Sequence, residues 1–468
     1  VAGTGGDSGK TVATLALIAA ARDEGLTVAP FKKGPDFIDA AWLGWAAGRP
    51  ARNLDTYLLG AEAVERSFRR HAEPEGLNLI EGNRGLLDGV DAAGTHSSAA
   101  LARLVRSPVL LIVSPVKSTA TAAAPVVGLQ RLAPEVAIAG VLLNRTAGAR
   151  HRRVVTEAIE RHAGVPVLGA LPRLDEPPLA SRHLGLVPPA EHAPAAELRR
   201  RLSDLAREHI DLERLWSLAR SAPPLSEPDS GTGAASGADA ASKPAGSRAR
   251  PRIGYVRDSA FTFYYPENLE ALVKEGAELV AISALSDTRL PELDALYIGG
   301  GFPETHTERL ASNRALHGEL RERVAAGLPV YAECGGLMFL AERLELDDRT
   351  VELAGVLPVT VRLHARPAGH GYARVTVDRP NPFFPTGTEL TGHEFHYSAL
   401  SSGRDRIGTA YRVEKGVGIG GGRDGIVRER VLASYLHLHA LGTGAWSRGL
   451  VTTARAYAAE KYQTDGDA

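Results

Sequence analysis

The first residues whose spacing suggests chemistry are Gly3-Thr4-Gly5-Gly6-Asp7-Ser8-Gly9-Lys10-Thr11, which run directly into an apolar stretch. Glycines at Gly5, Gly6 and Gly9 let backbone N–H groups converge on phosphate, and a following helix adds a favourable dipole. Lys10 can then reach the β- and γ-phosphates of a nucleotide, and the Thr11 hydroxyl can hold Mg²⁺. Strict phosphate-loop spacing would put glycine at position 4, where this chain has Thr4 and its first glycine one place earlier. An ordinary glycine-rich turn before a helix is the alternative. Asp7 has to point away from phosphate or toward a metal.

The second centre surrounds the single cysteine, in Val330-Tyr331-Ala332-Glu333-Cys334-Gly335-Gly336-Leu337-Met338. This reads as strand, tight turn and helix, a nucleophile elbow in outline. A thiol at a helix N-terminus is expected to have a lowered pKa. A buried, inert cysteine is the bland alternative. A nucleophilic thiol needs a base. Ser434-Tyr435-Leu436-His437-Leu438-His439 offers two, His437 and His439. Their spacing also suits a metal pair, but no third ligand of convincing spacing is visible. Gly299-Gly300-Gly301 ends an apolar run and can present N–H groups to an oxyanion. Gly335, beside the thiol, can do the same. His393-Glu394-Phe395-His396-Tyr397 reads equally well as a substrate wall or a metal site.

Between the two centres lie weaker signals. Lys32, in Phe31-Lys32-Lys33-Gly34-Pro35-Asp36-Phe37-Ile38-Asp39, could neutralise a transferred phosphate or a substrate carboxylate. Asp36 and Asp39 are candidates for metal or substrate contacts, or members of a charged turn. Asn53-Leu54-Asp55 is similarly ambiguous. Glu81 follows an apolar run and suits Mg²⁺. Asp88 precedes Gly89, which is also a common turn pair. Asn144 ends another apolar run and could pair with a nucleotide base or cap the strand.

Positioning these groups requires buried strands that end at one edge. Spans 27–31, 77–80, 109–113, 138–143 and 165–168 are short, branched and apolar on both faces. That is the mark of a parallel sheet covered by helices. Helical stretches at 11–22 and 63–71 alternate with them, and a longer helix is expected over 195–218. The second half repeats the alternation, with strands at 253–256, 279–282, 295–298 and 330–332 and helices at 266–275 and 316–326. From about residue 353 it becomes strand-rich. Residues 221–250 are Ser, Gly, Ala, Pro and Asp with almost no large apolar side chain, so a flexible linker is expected there. The fold class is α/β: two doubly wound domains, 1–220 and 251–468, joined by the linker 221–250.

Composition narrows the partners. The chain of 468 residues carries 54 basic against 55 acidic residues, a net charge of -1. Such balance gives no field to steer nucleic acid or an anionic membrane. One cysteine excludes an internal disulfide. No apolar run reaches the roughly 18 residues of a membrane helix, and no secretory leader is read at the start. The expected location is the cytoplasm.

Ten segments in order, GTGGDSGKT, FKKGPDFID, RNLD, EGNRGLLDG, VLLNR, FTFYYPENLE, YIGGGFPE, YAECGGLMFL, GHEFHYS and SYLHLH, resemble the cobyrinic acid a,c-diamide synthase family. The resemblance covers nearly everything except the linker. It implies a P-loop NTPase-like amide-forming domain similar to dethiobiotin synthetase, joined to a class I-type glutamine amidotransferase domain. It further implies ATP on Lys10 and Thr11, with Lys32, Asp36, Asp55, Glu81 and Asp88 around phosphate, Mg²⁺ and the reacting carboxylate. Asn144 would read adenine. Cys334 would be the glutaminase nucleophile and His437 its base, since the Tyr-Leu-His triplet is what related amidotransferases share. The usual carboxylate just after that histidine is not visible. The implied partners are L-glutamine and a carboxylated tetrapyrrole, whose negative charge Arg52 and Arg84, together with Lys32, could meet; a homodimer is allowed. Cobyrinate is the expected substrate, with sirohydrochlorin, its nickel form or sirohaem as alternatives, and a partition-type ATPase as a distant one. Asp7 stands where the family commonly has glycine, and Lys33 adds a second charge beside Lys32.

Overall fold

Branched apolar runs set the sheet of the N-terminal unit. The strand Val109–Val113 is buried along its whole length, as expected for a parallel strand covered on both faces. It lies between Ala2–Gly3 and Ile138–Thr146, with Val167–Pro172 beyond. A second parallel set, in the order Arg52–Leu54, Val28–Lys33, Leu77–Glu81, runs beside it. The two sets are stitched together by Gly82 N–H to Val1 O and Leu86 N–H to Gly3 O, both 2.8 Å. Strands therefore point their carboxyl ends toward one edge, where ligands bind in such folds.

The computed structural model describes residues 1–176, 178–182, 185–191, 195–224 and 250–466. The chain forms two compact units, Val1–Ala238 and Asp239–Ala468. Most of the expected linker, residues 225–249, lies outside the described residues. No helix among the described residues is long and apolar enough to cross a membrane.

Helix Lys10–Asp23 is rich in alanine and buried from Ala13 through Ala21. Small side chains let it lie close to its neighbours, among them the helix Ala195–His209. The single helix expected over 195–218 is two, Ala195–His209 and Leu212–Arg220. The break is local: the Asp211 N–H turns to Leu168 O at 2.7 Å. The Asp211 carboxylate then accepts from Arg214 N–H at 3.0 Å and caps the next helix.

The C-terminal unit has a nine-stranded sheet. Its first part is parallel, in the order Glu278–Ile282, Arg252–Val256, Ala295–Ile298, Val330–Glu333, Val431–Ser434. It continues antiparallel through Arg423–Arg428, Gly408–Lys415, Gly369–Val377 and Glu389–His396. This extension is the strand-rich stretch expected beyond residue 353. A four-stranded sheet, Thr350–Glu352, Ala341–Glu345, Leu357–Leu363 and Ser398–Ser402, lies in the same unit. Helix Arg314–Ala325 starts two residues before the expected 316, because Asn313 caps it by accepting from Leu316 N–H.

Candidate active sites

In the N-terminal unit the glycine-rich loop leaves the strand Ala2–Gly3 and delivers Lys10 as the first residue of its helix. Gly9 has φ 88°, and a Cβ there would come within 1.9 Å of Asn144 Nδ2. Asn144 donates from that nitrogen to Ser8 O at 2.8 Å, so the strand end at 138–146 braces the loop. Gly5 and Gly6 differ: a Cβ on either would meet nothing within 4 Å. Their glycines are not dictated by packing within the chain, which fits a loop face left open for phosphate. Asp7, at φ 51°, is exposed.

Behind the loop sits a buried charge cluster. Lys32 Nζ lies 2.6 Å from Glu81 Oε1, 2.7 Å from Asp39 Oδ2 and 3.3 Å from Gly82 O. Burial alone would lower the Lys32 pKa, but Asp39 and Glu81 hold it above its ordinary value. Burial pushes Glu81 up, against the pull of Lys32. Lys10 is lowered, by burial first and then by Lys32; its Nζ rests on Gly5 O at 3.2 Å and Ser8 Oγ at 3.4 Å. Thr11 Oγ1 donates to Glu81 Oε1 at 3.2 Å. Asp36 caps helix Phe37–Ala47 by accepting from Asp39 N–H at 2.7 Å. Its own pKa is pushed up to about 7, first by burial and then by Asp39.

Glu81 Oε2 is buried without a hydrogen-bond partner among the described residues. With the Thr11 hydroxyl beside it, this is a hard-oxygen pair of the kind Mg²⁺ takes, the remaining positions falling to water and phosphate. The donor set fits the ion. Asp55, fully buried, caps helix Thr56–Leu59 through Oδ1, at 2.8 Å from Tyr57 N and 3.0 Å from Leu58 N. Asp88 accepts from Gly85 N–H at 2.7 Å and closes its own turn. That turn packs against the phosphate loop, since a Cβ on Gly85 would lie 3.3 Å from Gly5 Cα. Arg84 is exposed at φ 50° and Arg52 is half-buried. A cavity of about 1200 Å³ opens beside the loop, lined by Gly9 and Asn144 and also by Lys117, Arg145, His151 and Arg173. Lys117 and Arg173, which sequence reasoning does not single out, line this cavity. Both lie just past apolar strands, and that position is the signal that could have found them.

In the C-terminal unit Cys334 stands between strand Val330–Glu333 and helix Gly335–Leu340, at φ 48°, ψ -99°. This is the strained strand-to-helix turn expected of a nucleophile. Its N–H donates to Ser434 O at 2.7 Å, so the parallel register Glu333↔Ser434 sets the thiol beside the segment carrying His437. The thiol differs from expectation in one respect. Burial raises its pKa, and Glu304 adds to this; the Gly335 N–H pulls the other way and loses. The helix that was to lower it has only six residues, and the cysteine is 6% exposed.

His437 Nδ1 lies 3.3 Å from Glu333 Oε2, with both side chains buried. The opposite edge of the ring is packed against Gly300, where a Cβ would be 2.6 Å from His437 Cε1 and 3.4 Å from Nε2. Gly301 N in turn would be 3.0 Å from a Cβ on Gly335. His437 thus packs on Gly300, and the next residue, Gly301, meets Gly335 beside Cys334, whose Sγ lies 3.9 Å from Phe395 O. His439 has a separate carboxylate, with Nε2 3.7 Å from Glu267 Oε2. His393 stacks on His437 at 5.0 Å between centroids, and Tyr265 Oη lies 3.4 Å from His393 Nδ1. Among the described residues no three His, Cys, Asp or Glu side chains gather as a metal-ligand group. Sequence reasoning missed Glu333, although it directly precedes the nucleophile.

Known proteins agree with both halves. Residues 1–186 match the CobQ/CobB/MinD/ParA nucleotide binding domain, and residues 252–445 the CobB/CobQ-like glutamine amidotransferase domain. A cobyrinate a,c-diamide synthase of Magnetococcus marinus is 44% identical over 96% of this chain and 95% of its own length. One from Archaeoglobus fulgidus is 38% identical over 97% of this chain and 96% of its own. One from Listeria monocytogenes is 35% identical over 94% and 95%. A nucleotide-binding ligase unit and a glutamine amidotransferase unit in one chain make an amidoligase. The chain belongs to the cobyrinate a,c-diamide synthase family.

Proposed function

We propose that the protein converts the a and c acetate carboxylates of cobyrinic acid to amides, using ATP and the side-chain nitrogen of glutamine. The observation that carries this is the presence of both centres in one chain: the open phosphate loop backed by Lys32, Asp39 and Glu81, and the Cys334 elbow beside His437.

A carboxylate is a poor electrophile. Its oxygen attacks the γ-phosphorus of ATP and ADP leaves, giving an acyl phosphate. Lys10 and Lys32 spread charge on the transferring group, as donors fixed in advance by Gly5 and Glu81. Thr11 and Glu81 would hold Mg²⁺, which when bound would supply Lewis-acid neutralisation of the phosphates. Asn144 and the cavity beside it take the nucleoside end, while Arg52 and Arg84 meet further carboxylates of the substrate. Ammonia then displaces phosphate and leaves the amide.

The ammonia comes from glutamine. His437 takes the Cys334 proton as sulfur attacks the side-chain carbonyl carbon. The C–N bond breaks, the same proton passes to the leaving nitrogen, and a thioester remains. Water, deprotonated by His437, releases glutamate and restores the thiol. Backbone N–H groups at Gly300 and Gly335 hold the oxyanion, an interaction typically worth ~3 kcal/mol of barrier per donor. We read the location as cytoplasmic.

Glutamine labelled with ¹⁵N in the side chain tests the whole. Label is expected in diamidated cobyrinate, at a mass gain of two labelled amides, only when ATP is present. With Cys334→Ser the glutamine-fed product disappears and the ammonia-fed product persists. Sirohydrochlorin amidated in preference to cobyrinate would overturn the substrate assignment, and absence of label from any product would overturn the reaction.

A further inference from the structure

We propose that Glu333 is the positioning carboxylate of the glutaminase centre, supplied from the residue before the nucleophile because the chain just after the base does not provide one. This deepens the glutamine-hydrolysing half of the proposed function and rests on it. Two residues beyond His437 stands His439, and its geometry removes it from the role. Its Nδ1 accepts the Leu441 N–H at 3.2 Å and its Nε2 faces Glu267.

Glu333 meets the geometric requirements that His439 does not. It is 1% exposed and ends the strand Val330–Glu333, where its backbone pairs with Ser434. Leu438 N–H donates to Oε1 at 3.3 Å, and the Tyr297 hydroxyl donates to Oε2 at 3.2 Å. Those two donors hold the carboxylate in one orientation. In that orientation Oε2 lies 3.3 Å from His437 Nδ1. An acceptor there selects the tautomer with hydrogen on Nδ1. The lone pair then resides on Nε2, on the ring edge that packs against Gly300. That tautomer can remove the thiol proton, and the opposite one cannot. A single residue step therefore links nucleophile and orienter. Cys334 and Glu333 leave the same strand end, and any shift of the elbow moves both.

Glu333→Gln and Glu333→Asp in the full chain test this by three readouts. The glutamine amide can present N–H to Nδ1 and hold the wrong tautomer. Glu333→Gln is therefore expected to lower kcat of glutamine hydrolysis by about 100-fold or more, with KM within about threefold. ¹⁵N signals of the His437 ring should move from the Nδ1–H toward the Nε2–H pattern. Ammonia-fed, ATP-dependent amidation should be kept. Glu333→Asp keeps the charge but falls one methylene short, so an intermediate kcat is expected. Hydrolysis within about threefold of wild type in Glu333→Gln would overturn the proposal, as would unchanged ring signals at reduced kcat. If Glu333→Gln does not fold, Glu333→Asp decides, and wild-type kcat there overturns it. A wild-type protein that hydrolyses no glutamine overturns the parent reading, and this one with it, before any variant is compared.

Discussion

Burial, and after it Glu304, opposes ionisation of the Cys334 thiol and raises its pKa. A resting thiolate–imidazolium pair would react fully at low pH. A thiol whose pKa is raised gains thiolate only as pH climbs past the ordinary cysteine value. Alkylation by iodoacetamide without glutamine is therefore expected to keep accelerating beyond about pH 9, with no plateau below about pH 7. Mass spectrometry can follow it cleanly, because the chain has one cysteine. An early plateau would show a preformed ion pair. Lys32 poses the inverse problem, a cation enclosed by Glu81 and Asp39. Lys32→Met leaves two carboxylates facing each other, with Glu81 fully buried. Breaking a buried ion pair from one side costs about 3–5 kcal/mol. Thermal unfolding of the variant should show a loss of that order, and amidation should vanish with ammonia as well as with glutamine.

At the scale of elements, the phosphate loop separates two uses of glycine. Gly9 has positive φ and packs on Asn144, whereas Gly5 adjoins open space. Gly5→Ala is expected to leave the melting temperature almost unchanged while weakening ATP binding about tenfold or more, because the methyl group occupies the phosphate approach. Gly9→Ala should lose both stability and binding. Calorimetric titration with ATP, alongside thermal melts, distinguishes them; equal effects on both quantities in Gly5→Ala would remove the loop's assignment. The same contrast explains what the sequence could reveal. The glycine loop, the branched strands and the Cys334 elbow are local patterns, read within about ten residues. The bracing of Ser8 by Asn144 spans 136 residues, and the Glu333–His437 contact spans 104. Such pairs become visible only once strand order is known, since the register Glu333↔Ser434 is what brings them together. The two-helix break at Asp211 was hidden for a related reason: the backbone partner that stops the helix, Leu168, belongs to a distant strand. The thiol pKa failed differently, because a dipole inferred from helix position was outweighed by burial that no local pattern records.

For the molecule as a whole, the division of labour is chemical: one unit frees a nitrogen and the other fastens it. The groups proposed for each centre belong to one unit, Lys10, Lys32 and Glu81 to the first, Glu333, Cys334 and His437 to the second. Single substitutions should therefore separate the half-reactions. Lys10→Ala removes the cation proposed to reach the phosphates and should abolish amide formation from either nitrogen source, yet glutamine hydrolysis should continue. Cys334→Ser should do the reverse. A mixture of the two variants then holds one intact unit of each kind on different chains. Ammonia released by the first can reach the second only through solution, where most of it is protonated and unreactive. Amide formation by the mixture should fall well below that of the wild type at equal site concentrations. An enzymatic trap that consumes free ammonium should abolish it. If Lys10→Ala instead silences glutamine hydrolysis, nucleotide binding in the first unit is a condition for chemistry in the second, and the two half-reactions are coupled before any nitrogen is released.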